Sequence, residues 1–249
     1  RNGEYLGLVK PDGTVASEFK PELPELETDQ SYGVSMMGDG ETLLPLGAEV
    51  SYLIPDNEHS NEHWTVSGYE ENEDWQRGKT GIGFENGGDF GDLVETKINS
   101  GSSGIYMRGT FHVDNLDELT RLMLLIRYDD GFIAYLNGTE IARREAPINP
   151  QWNSQATTNR PNTDALTREI IDITSQLQLL KAQDNILAVH ALNNGATSSN
   201  FLFLPELVGI RIDEESQRYF ISPTPGKANA GGIIDFVADT KFSHDRGFY

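Results

Sequence analysis

One stretch of the sequence, residues 127–144, constrains the fold more than any other. It reads RYDDGFIAYLNGTEIARR, in which short apolar segments alternate with two turns. Asn137-Gly138 lies between two of these segments, and a two-residue hairpin turn needs positive φ at both positions, which Asn and Gly tolerate well. Asp129-Asp130-Gly131 is interpreted as a second turn of the same kind. The stretch therefore predicts consecutive β-hairpins.

The same pattern extends along most of the chain. Short apolar or alternating segments recur at regular spacing through residues 59–213, and no long amphipathic helix pattern interrupts them. Residues 119–128 are almost continuously apolar, which is typical of a central strand covered on both faces. Pro205 indicates a bulge or an edge in the last strand, and residues 172–185 predict a short capped helical turn. We predict an all-β, jelly-roll β-sandwich with flanking short β segments and an extended C-terminal linker.

Changes in composition divide the 249 residues into four parts. Residues 1–54 contain a short hairpin, a Pro-rich acidic connector and a further strand, and residues 55–218 form the predicted sandwich. Residues 219–232 are a Pro/Gly/Ala linker, and residues 233–249 restart a strand-like pattern. Because the chain begins without Met or a signal-peptide pattern and stops within that pattern, we expect it to be a piece of a longer polypeptide.

Acidic residues determine which partners are compatible with this chain. Asp and Glu number 39 against 19 Lys and Arg, a formal net charge of −20. Such a surface repels phosphate backbones and anionic lipid, which argues against nucleic-acid and membrane-surface binding. The sequence has no stretch of the ~18 apolar residues that a membrane span needs. The absence of Cys excludes disulfides and thiolate chemistry.

Three motifs in the middle of the chain carry a resemblance to a known family. Residues 134–138 read AYLNG, residues 172–174 read DIT, and residues 184–189 read DNILAV. The region resembles the galactose-binding-like jelly-roll modules of the large β-galactosidase and β-glucuronidase family, in which similar pieces occur in the same order. The resemblance implies the jelly-roll fold for residues 64–213. It implies a sugar ligand less directly, because jelly rolls host many functions.

The two ends of the chain resemble parts of large secreted bacterial multidomain proteins. Residues 3–19, GEYLGLVKPDGTVASEF, are similar to the last strands of a lamin-tail-like β-domain. Residues 222–229, SPTPGKAN, are similar to a linker, and residues 237–249 to the start of a chitobiase-type C-terminal β-domain. This resemblance implies a secreted protein, extracellular or at the bacterial cell surface.

The polar loop at residues 145–165 is the main candidate for ligand recognition. It contains Trp152 but no apolar pattern that would explain a tryptophan. Sugar recognition needs a flat aromatic face for the apolar side of a pyranose ring and polar groups around it for the hydroxyls. Alternatively, Trp152 folds back to plug the end of the sandwich, and the other aromatics belong to the core. The candidate ligand-binding residues are Trp152, Asn149, Gln151, Asn153, Arg160, Trp75 and Tyr69.

Acidic turns predict a structural calcium ion, because interleaved Asp, Asn and Gly supply hard oxygen ligands and tight curvature. The alternative is that Asp-Asp-Gly is simply a turn. His59 and His63 have the spacing of a zinc pair on a helix, but their segment lacks a helical pattern, so we interpret them as surface histidines. The candidate calcium ligands are Asp129, Asp130, Asp89 and Asp92.

Catalytic motifs are missing from the sequence. It has no Gly-x-Ser-x-Gly elbow, no phosphate-binding Gly loop before a helix and no Cys nucleophile. The sequence therefore predicts a non-catalytic extracellular module, not an enzyme, that binds polysaccharide or glycan and holds a structural calcium. The alternative is a structural or adhesive spacer that contacts other copies or surface-matrix proteins.

Overall fold

The structure of the chain is a computed structural model with two compact units, one of residues 1–38 and 212–249 and one of residues 39–211. Nearly all regular structure in the described residues is β-strand, so the all-β prediction is confirmed. The residues that the structure describes are 4–19, 22–26, 30–34, 39–59, 63–88, 90–211 and 217–220.

Among its described residues, the first unit contains two antiparallel strand pairs. β1 (Leu6–Val9) pairs with β2 (Val15–Phe19), which confirms the predicted hairpin. β3 (Ser31–Val34) pairs with the last strand, β16 (Gln217–Phe220). The predicted linker beyond Phe220 and the strand-like segment 233–249 lie outside the described residues. The assignments to lamin-tail and chitobiase-type domains therefore stay predictions.

The second unit is a sandwich of two six-stranded sheets. The first sheet contains β4 (Asp39–Leu44), β7 (Ile82–Glu85), β8 (Thr96–Lys97), β10 (Arg121–Asp129), β13 (Glu169–Asp172) and β15 (Asn200–Arg211). The second sheet contains β5 (Glu49–Leu53), β6 (Gln76–Lys79), β9 (Gly104–Phe111), β11 (Gly131–Leu136), β12 (Thr139–Arg144) and β14 (Asn185–Leu192). The pairs are antiparallel except β7 with β8.

The strand order is β13-β10-β15-β7-β8 in the first sheet, with β4 also on β15, and β12-β11-β14-β9-β5-β6 in the second. The helical segments of the described residues are one short α-helix, α1 (Asn162–Ala165), and single 3-10 stretches. The last of these, Thr174–Leu179, follows Asp172, whose carboxylate accepts the N–H of Thr174 at 2.9 Å. The helical turn predicted there is confirmed, but its N-cap residue is Ile173, which makes no side-chain capping bond, and not Asp172 or Thr174 as predicted.

The core lies between the sheets and is built from alternate residues of their strands. Leu122, Leu124 and Ile126 of β10 point inward and are fully buried, and they belong to one cluster with Phe132 and Leu187 of the second sheet. Burying a side chain of this size contributes about 1.5–3 kcal/mol. The residues of β10 between them are only half-buried, so the cover expected on both faces of this strand is partial.

A second apolar layer covers the outer face of the second sheet. The alternation of β9 places Tyr106 and Arg108 opposite the core-facing Ile105 and Met107, and all four are buried. Trp64 stacks on Tyr106, with ring centroids 4.1 Å apart and planes 13° apart. We call this layer the outer aromatic cluster; its members are Leu53, Trp64, Tyr69, Trp75, Tyr106, Tyr135, Trp152, Ile186 and Ala188.

Asp129-Asp130-Gly131 is not a hairpin turn, which corrects the sequence interpretation. β10 pairs with β13 and β15 in the first sheet, whereas β11 pairs with β12 and β14 in the second. The segment therefore carries the chain across the sandwich from one sheet to the other. The hairpin at Asn137-Gly138 is confirmed, with φ of 51° and 92° at the two residues.

Pro205 lies inside the continuous strand β15. Along one edge β15 is bonded to β10. Along the other edge it pairs with β7 as far as Phe203 and with β4 from Leu207 onward, so Pro205 falls in the gap between the two partners. A residue without an N–H is tolerated at such a gap. The bulge or edge predicted at Pro205 is met only locally, because β15 is an interior strand and its register irregularity lies between Leu207 and Val208.

The sandwich begins earlier in the chain than the sequence suggested. β4 pairs with β15, and β5 pairs with β6 and β9, so residues 39–53 belong to the sandwich and not to a separate region ending at residue 54. Leu44 and Val50 are buried in its core. The partners of β4 and β5 are distant in sequence, and local patterns do not reveal such pairings.

Candidate functional site

The crossing from β10 to β11 lies at one end of the sandwich, which we call the rim. Asp129 and Asp130 are only 2% and 1% exposed there. A Cβ at the next residue, Gly131, would lie 2.8 Å from the carbonyl oxygen of Glu145 and 2.9 Å from that of Arg144. Glycine is therefore required for the close approach of the backbone where the chain crosses.

Asp130 joins two loops of the rim. The first rim loop is residues 145–161, and the second rim loop is residues 193–199. Asp130 Oδ1 accepts the backbone N–H of Arg160 at 2.8 Å, and Oδ2 accepts that of Asn194 at 2.7 Å. The N–H of Ala156 also donates to the carbonyl of Asn193 at 2.9 Å. Charge-assisted bonds to a buried carboxylate are strong, so they fix the loops against each other.

Asp129 differs from Asp130 in its hydrogen bonding and ionisation. Burial, together with the neighbouring charge of Asp130, raises the pKa of Asp129 to about 8. Asp129 Oδ2 is buried and has no hydrogen-bond partner among the described residues. Two adjacent carboxyls out of contact with water resist carrying two charges, so at neutral pH Asp129 holds a proton.

Between the two rim loops lies a polar depression of ≈ 400 Å³. Within the described part of the chain the side chains of Gln155, Asn194 and Thr197 have no hydrogen-bond partner. None of the lining side chains carries a charge, so the depression presents amide and hydroxyl groups with free hydrogen-bonding capacity. The lining residues are Gln155, Asn159, Asn194, Gly195, Ala196, Thr197 and Ser198.

The structure keeps the predicted polar residues around Trp152 together on the first rim loop. Asn149, Gln151 and Asn153 are exposed, and Trp152 is half-buried against the outer aromatic cluster. Trp152 is therefore neither sealed between the two sheets nor a fully open platform. Gln155, three residues further on, connects this segment to the depression.

Arg160 was predicted to bind ligand, but its guanidinium is already used within the protein. It donates to the hydroxyl of Tyr128 at 2.7 Å and to the carbonyl of Asp164 at 3.0 Å. The group also lies 4.1 Å from the centroid of the Tyr128 ring, a cation–π distance. Arg160 therefore braces the loop, and its backbone N–H supplies one bond to Asp130.

Trp75 and Tyr69 lie in the outer aromatic cluster and not at the rim. Trp75 is only 8% exposed, so it offers no ring face to a ligand. Tyr69 packs edge-on against it, with ring centroids 6.0 Å apart, and is half-buried. Packing in the core is the alternative to ligand binding that the sequence indicates for these two residues. Trp75 is packed in this way over almost its whole surface, and Tyr69 over part of its surface.

The predicted calcium ligands are dispersed. Asp92 is exposed in the 3-10 segment Gly91–Leu93, and Asp89 lies outside the described residues. No group of three acidic or histidine side chains converges anywhere in the described ranges. Both oxygens of Asp130 already accept backbone N–H groups, whereas calcium takes six to eight oxygen ligands. The Asp129–Asp130 pair alone does not fit that ion, and calcium stays a prediction.

Sequence reasoning missed Gln155, Asn159 and Asn194 as site residues. A signal was present: the polar run NNGATSSN at residues 193–200 directly follows the apolar strand β14. A polar run at the end of a buried strand marks a loop at the rim, where ligand sites are common. Its juxtaposition with the first rim loop depends on Asp130, which local patterns do not reveal.

Among the described residues, no helix has the length and apolar character needed to cross a membrane. No family model matches the chain, and neither does any curated protein.

Solved structures of bacterial β-glucuronidases are similar to this chain over part of their length. The enzyme of Ruminococcus gnavus is 13% identical with a TM-score of 0.42, over 76% of this chain and 30% of that one. The enzyme of an uncultured Clostridium sp. is 14% identical with a TM-score of 0.39, over 76% and 30%. That of Bifidobacterium dentium is 15% identical with a TM-score of 0.35, over 68% and 21%. The chain thus spans less than a third of these enzymes, and its function rests on its own site.

Proposed function

We propose that this chain is a non-catalytic module that binds an uncharged segment of a polysaccharide or glycan in the depression between the two rim loops. The observation that carries this proposal is the hydrogen bonding of Asp130, whose two oxygens hold Arg160 of one loop and Asn194 of the other. A depression lined by unpaired amides and held in shape by a buried carboxylate is prepared for a ligand before the ligand arrives. Such preorganisation reduces the entropy cost of binding.

The chemistry of the lining favours an uncharged sugar. Gln155, Asn159 and Asn194 provide both donors and acceptors, which sugar hydroxyls can satisfy. The volume of ≈ 400 Å³ falls in the range of small-ligand sites. The net charge of −20 repels acidic glycans at long range. A glycan that extends beyond the depression would meet Gln151 and the exposed part of Trp152 on the first rim loop.

The state of the Asp129–Asp130 pair supports a binding role over a hydrolytic one. The pair is buried, Asp130 is occupied by two backbone N–H groups, and Asp129 holds a proton near neutral pH. Glycoside hydrolysis needs two carboxyl groups that both reach the scissile bond. These two carboxyls shape the rim and do not face a substrate. Extracellular placement and a structural calcium ion remain part of the proposal.

A spacer or adhesive function is the second candidate. The observation that favours it is the packing of Trp64, Trp75 and Tyr106 in the outer aromatic cluster, where these three buried rings stiffen the sandwich and are not open to a ligand. A rigid sandwich of this kind suits a structural element that contacts other copies or matrix proteins. The two candidates differ in whether the rim binds a glycan.

The test is a glycan array with the intact chain, followed by calorimetry with the best neutral ligand. The double variant Gln155→Ala with Asn194→Ala is expected to weaken binding at least tenfold, because it removes the free amides of both loops. Gln178→Ala is the matched control, since it removes an exposed amide from the 3-10 segment Thr174–Leu179. Absence of binding to any glycan, or equal loss in the control, would leave the spacer function.

A further inference from the structure

A second cavity lies on the outer face of the second sheet, far from the rim. We call it the outer groove; it has a volume of ≈ 690 Å³, and Thr110 and Ile186 line it. These residues lie where β9 ends and β14 begins, whereas the rim is at the other end of β14. An eight-residue strand spans roughly 25 Å, so one ligand unit cannot fill both cavities.

Both guanidinium groups of the outer groove have hydrogen-bond or ion-pair partners within the protein. Arg108, only 4% exposed, donates to Glu71 at 2.9 Å and to the carbonyl oxygens of Trp64 and, at 3.1 Å, Val66. The Arg77 side chain is 81% exposed, and its two terminal nitrogens lie 3.1 Å from the same Glu71 carboxylate and 2.5 Å from the Ser51 hydroxyl. Arg108 therefore has little capacity left to bind an anionic ligand, and the Arg77 charge is paired with Glu71. Glu71 is neutralised in the same network.

Two carboxylates of the outer groove, unlike the guanidinium groups, have no partner within the protein's described ranges. Glu70 and Asp184 are exposed, and neither has a hydrogen bond or ion pair within the described ranges. Tyr69 also lines the outer groove, and its ring centroid lies 5.1 Å from the Arg108 guanidinium carbon. The groups of the outer groove that are free to bind a ligand thus include two negatively charged hydrogen-bond acceptors, beside the ring of Tyr69.

We infer that the outer groove is a second binding site, selective for a saccharide that carries protonated amino groups. Free carboxylates accept hydrogen bonds from ammonium and hydroxyl groups, and Tyr69 supplies an apolar contact for the sugar ring. The net charge of −20 attracts such a ligand at long range. This inference goes beyond the proposed function and is independent of it, because the rim lining is uncharged and the two sites call for different ligands.

The test is calorimetry of the intact chain with a β-1,4-linked glucosamine tetramer, and with its N-acetylated form, which has no ammonium groups. We expect the N-acetylated tetramer to bind the outer groove at least tenfold more weakly. We also expect binding of the amine form to weaken in about 0.5 M salt, because exposed charges are screened. Equal affinity for the two tetramers at this site would overturn the inference.

Substitutions of exposed residues show where the amine ligand binds and should not affect the stability of the fold. Asp184→Asn and Glu70→Gln each remove one free carboxylate, and we expect each to weaken binding of the amine form about tenfold. Asp117→Asn is the matched control, because it removes an exposed carboxylate outside the outer groove. Equal weakening in the control would show diffuse attraction by the acidic surface and refute a site.

The rim variants separate this inference from the proposed function. The double variant Gln155→Ala with Asn194→Ala should leave binding of the glucosamine tetramer unchanged. If it abolished that binding, the amine ligand would occupy the rim and the outer groove would not be its site. Failure of neutral glycans to bind, with amine binding retained, would refute the proposed function alone.

Discussion

Asp130 and Asn194 are far apart in the sequence, yet a 2.7 Å hydrogen bond joins the carboxylate of the first to the backbone N–H of the second. The same carboxylate binds the N–H of Arg160 at 2.8 Å. A residue at the crossing between the two sheets thereby determines where the two rim loops lie. The shape of the depression depends on a buried group that does not line it.

Asp130→Ala should destabilise the protein and weaken glycan binding together. The substitution leaves two partly buried N–H groups without this acceptor, at a cost of about 1–3 kcal/mol each. We expect the free energy of unfolding in urea to fall by about 2–5 kcal/mol. The control is Asp172→Ala, which removes one exposed hydrogen bond to the N–H of Thr174 and should cost about 1 kcal/mol. Equal losses in the two variants would contradict the role assigned to Asp130.

Asp129→Asn should change how stability depends on pH. Its carboxyl has a pKa of about 8 in the folded protein, against an ordinary value of 3.8. The folded state thus binds the proton more tightly, so the contribution of Asp129 is complete below about pH 3.8 and is lost as pH rises through 8. The wild-type protein should lose stability across this window relative to Asp129→Asn, whose amide stays neutral.

Urea unfolding at several pH values measures this difference. Asp117→Asn, an exposed substitution, is the control and should follow the wild-type profile. Parallel profiles for wild type and Asp129→Asn would mean that the Asp129 carboxyl is ionised throughout.

The parts of the fold that could be predicted are those fixed by neighbouring residues. Asn137-Gly138 specifies its hairpin because both residues accept positive φ, and the Asp172 carboxylate accepts the backbone N–H of Thr174 two residues later. Asp129-Asp130-Gly131 has equally good turn composition but joins two sheets. A turn sequence allows either outcome, and the choice depends on whether β10 finds β15 or β11 as its partner.

The candidate site was harder to predict because it depends on contacts between residues that are distant in the sequence. The position of Trp152 could be identified as unusual, but its burial depends on cluster members from distant segments such as Trp64 and Tyr106. Arg160 is a residue type that often binds ligands, yet its guanidinium donates a hydrogen bond to the hydroxyl of Tyr128. The free amides of Gln155 and Asn194 become neighbours only through Asp130. Local patterns identify residues able to bind a sugar, and tertiary contacts decide which stay free.

His190 should make the protein sensitive to acid. Burial lowers its pKa from 6.5 to about 3, and its ring packs edge-on against Tyr106 at 4.8 Å. The unfolded chain binds the proton more tightly, so the stability linked to His190 is present above pH 6.5 and is lost as pH falls toward 3. The free energy of unfolding should therefore decrease over this window, opposite in direction to the effect of Asp129.

The variant His190→Phe keeps an aromatic ring and removes the titration. Its stability should fall less than that of the wild type between pH 6.5 and pH 4. His112→Phe is the control, because His112 is exposed and should leave the acid profile unchanged. An acid profile of His190→Phe identical to the wild type would assign the sensitivity to other groups.

Calcium should raise the melting temperature if the predicted structural ion exists, because a ligand that binds only the folded state stabilises it. The measurement is a thermal shift in EGTA, in added calcium and in magnesium as a control. Since no three acidic or histidine side chains converge in the described ranges, a positive result would implicate residues outside them, including Asp89. An unchanged transition would remove calcium from the proposed function.

Substitutions at Gly131 and Gly195 test two properties separately: the first tests the packing of the rim, and the second tests the surface of the depression. Gly131→Ala places a methyl group 2.8 Å from the carbonyl oxygen of Glu145, so it should cost about 1–3 kcal/mol of stability and weaken glycan binding. Around Gly195 the nearest atom lies 3.8 Å away, on Gln155. Gly195→Ala should therefore keep stability within about 0.5 kcal/mol while it reduces binding, since its methyl group enters the depression. Loss of stability in both variants, or unchanged binding in both, would contradict a ligand site between the two loops.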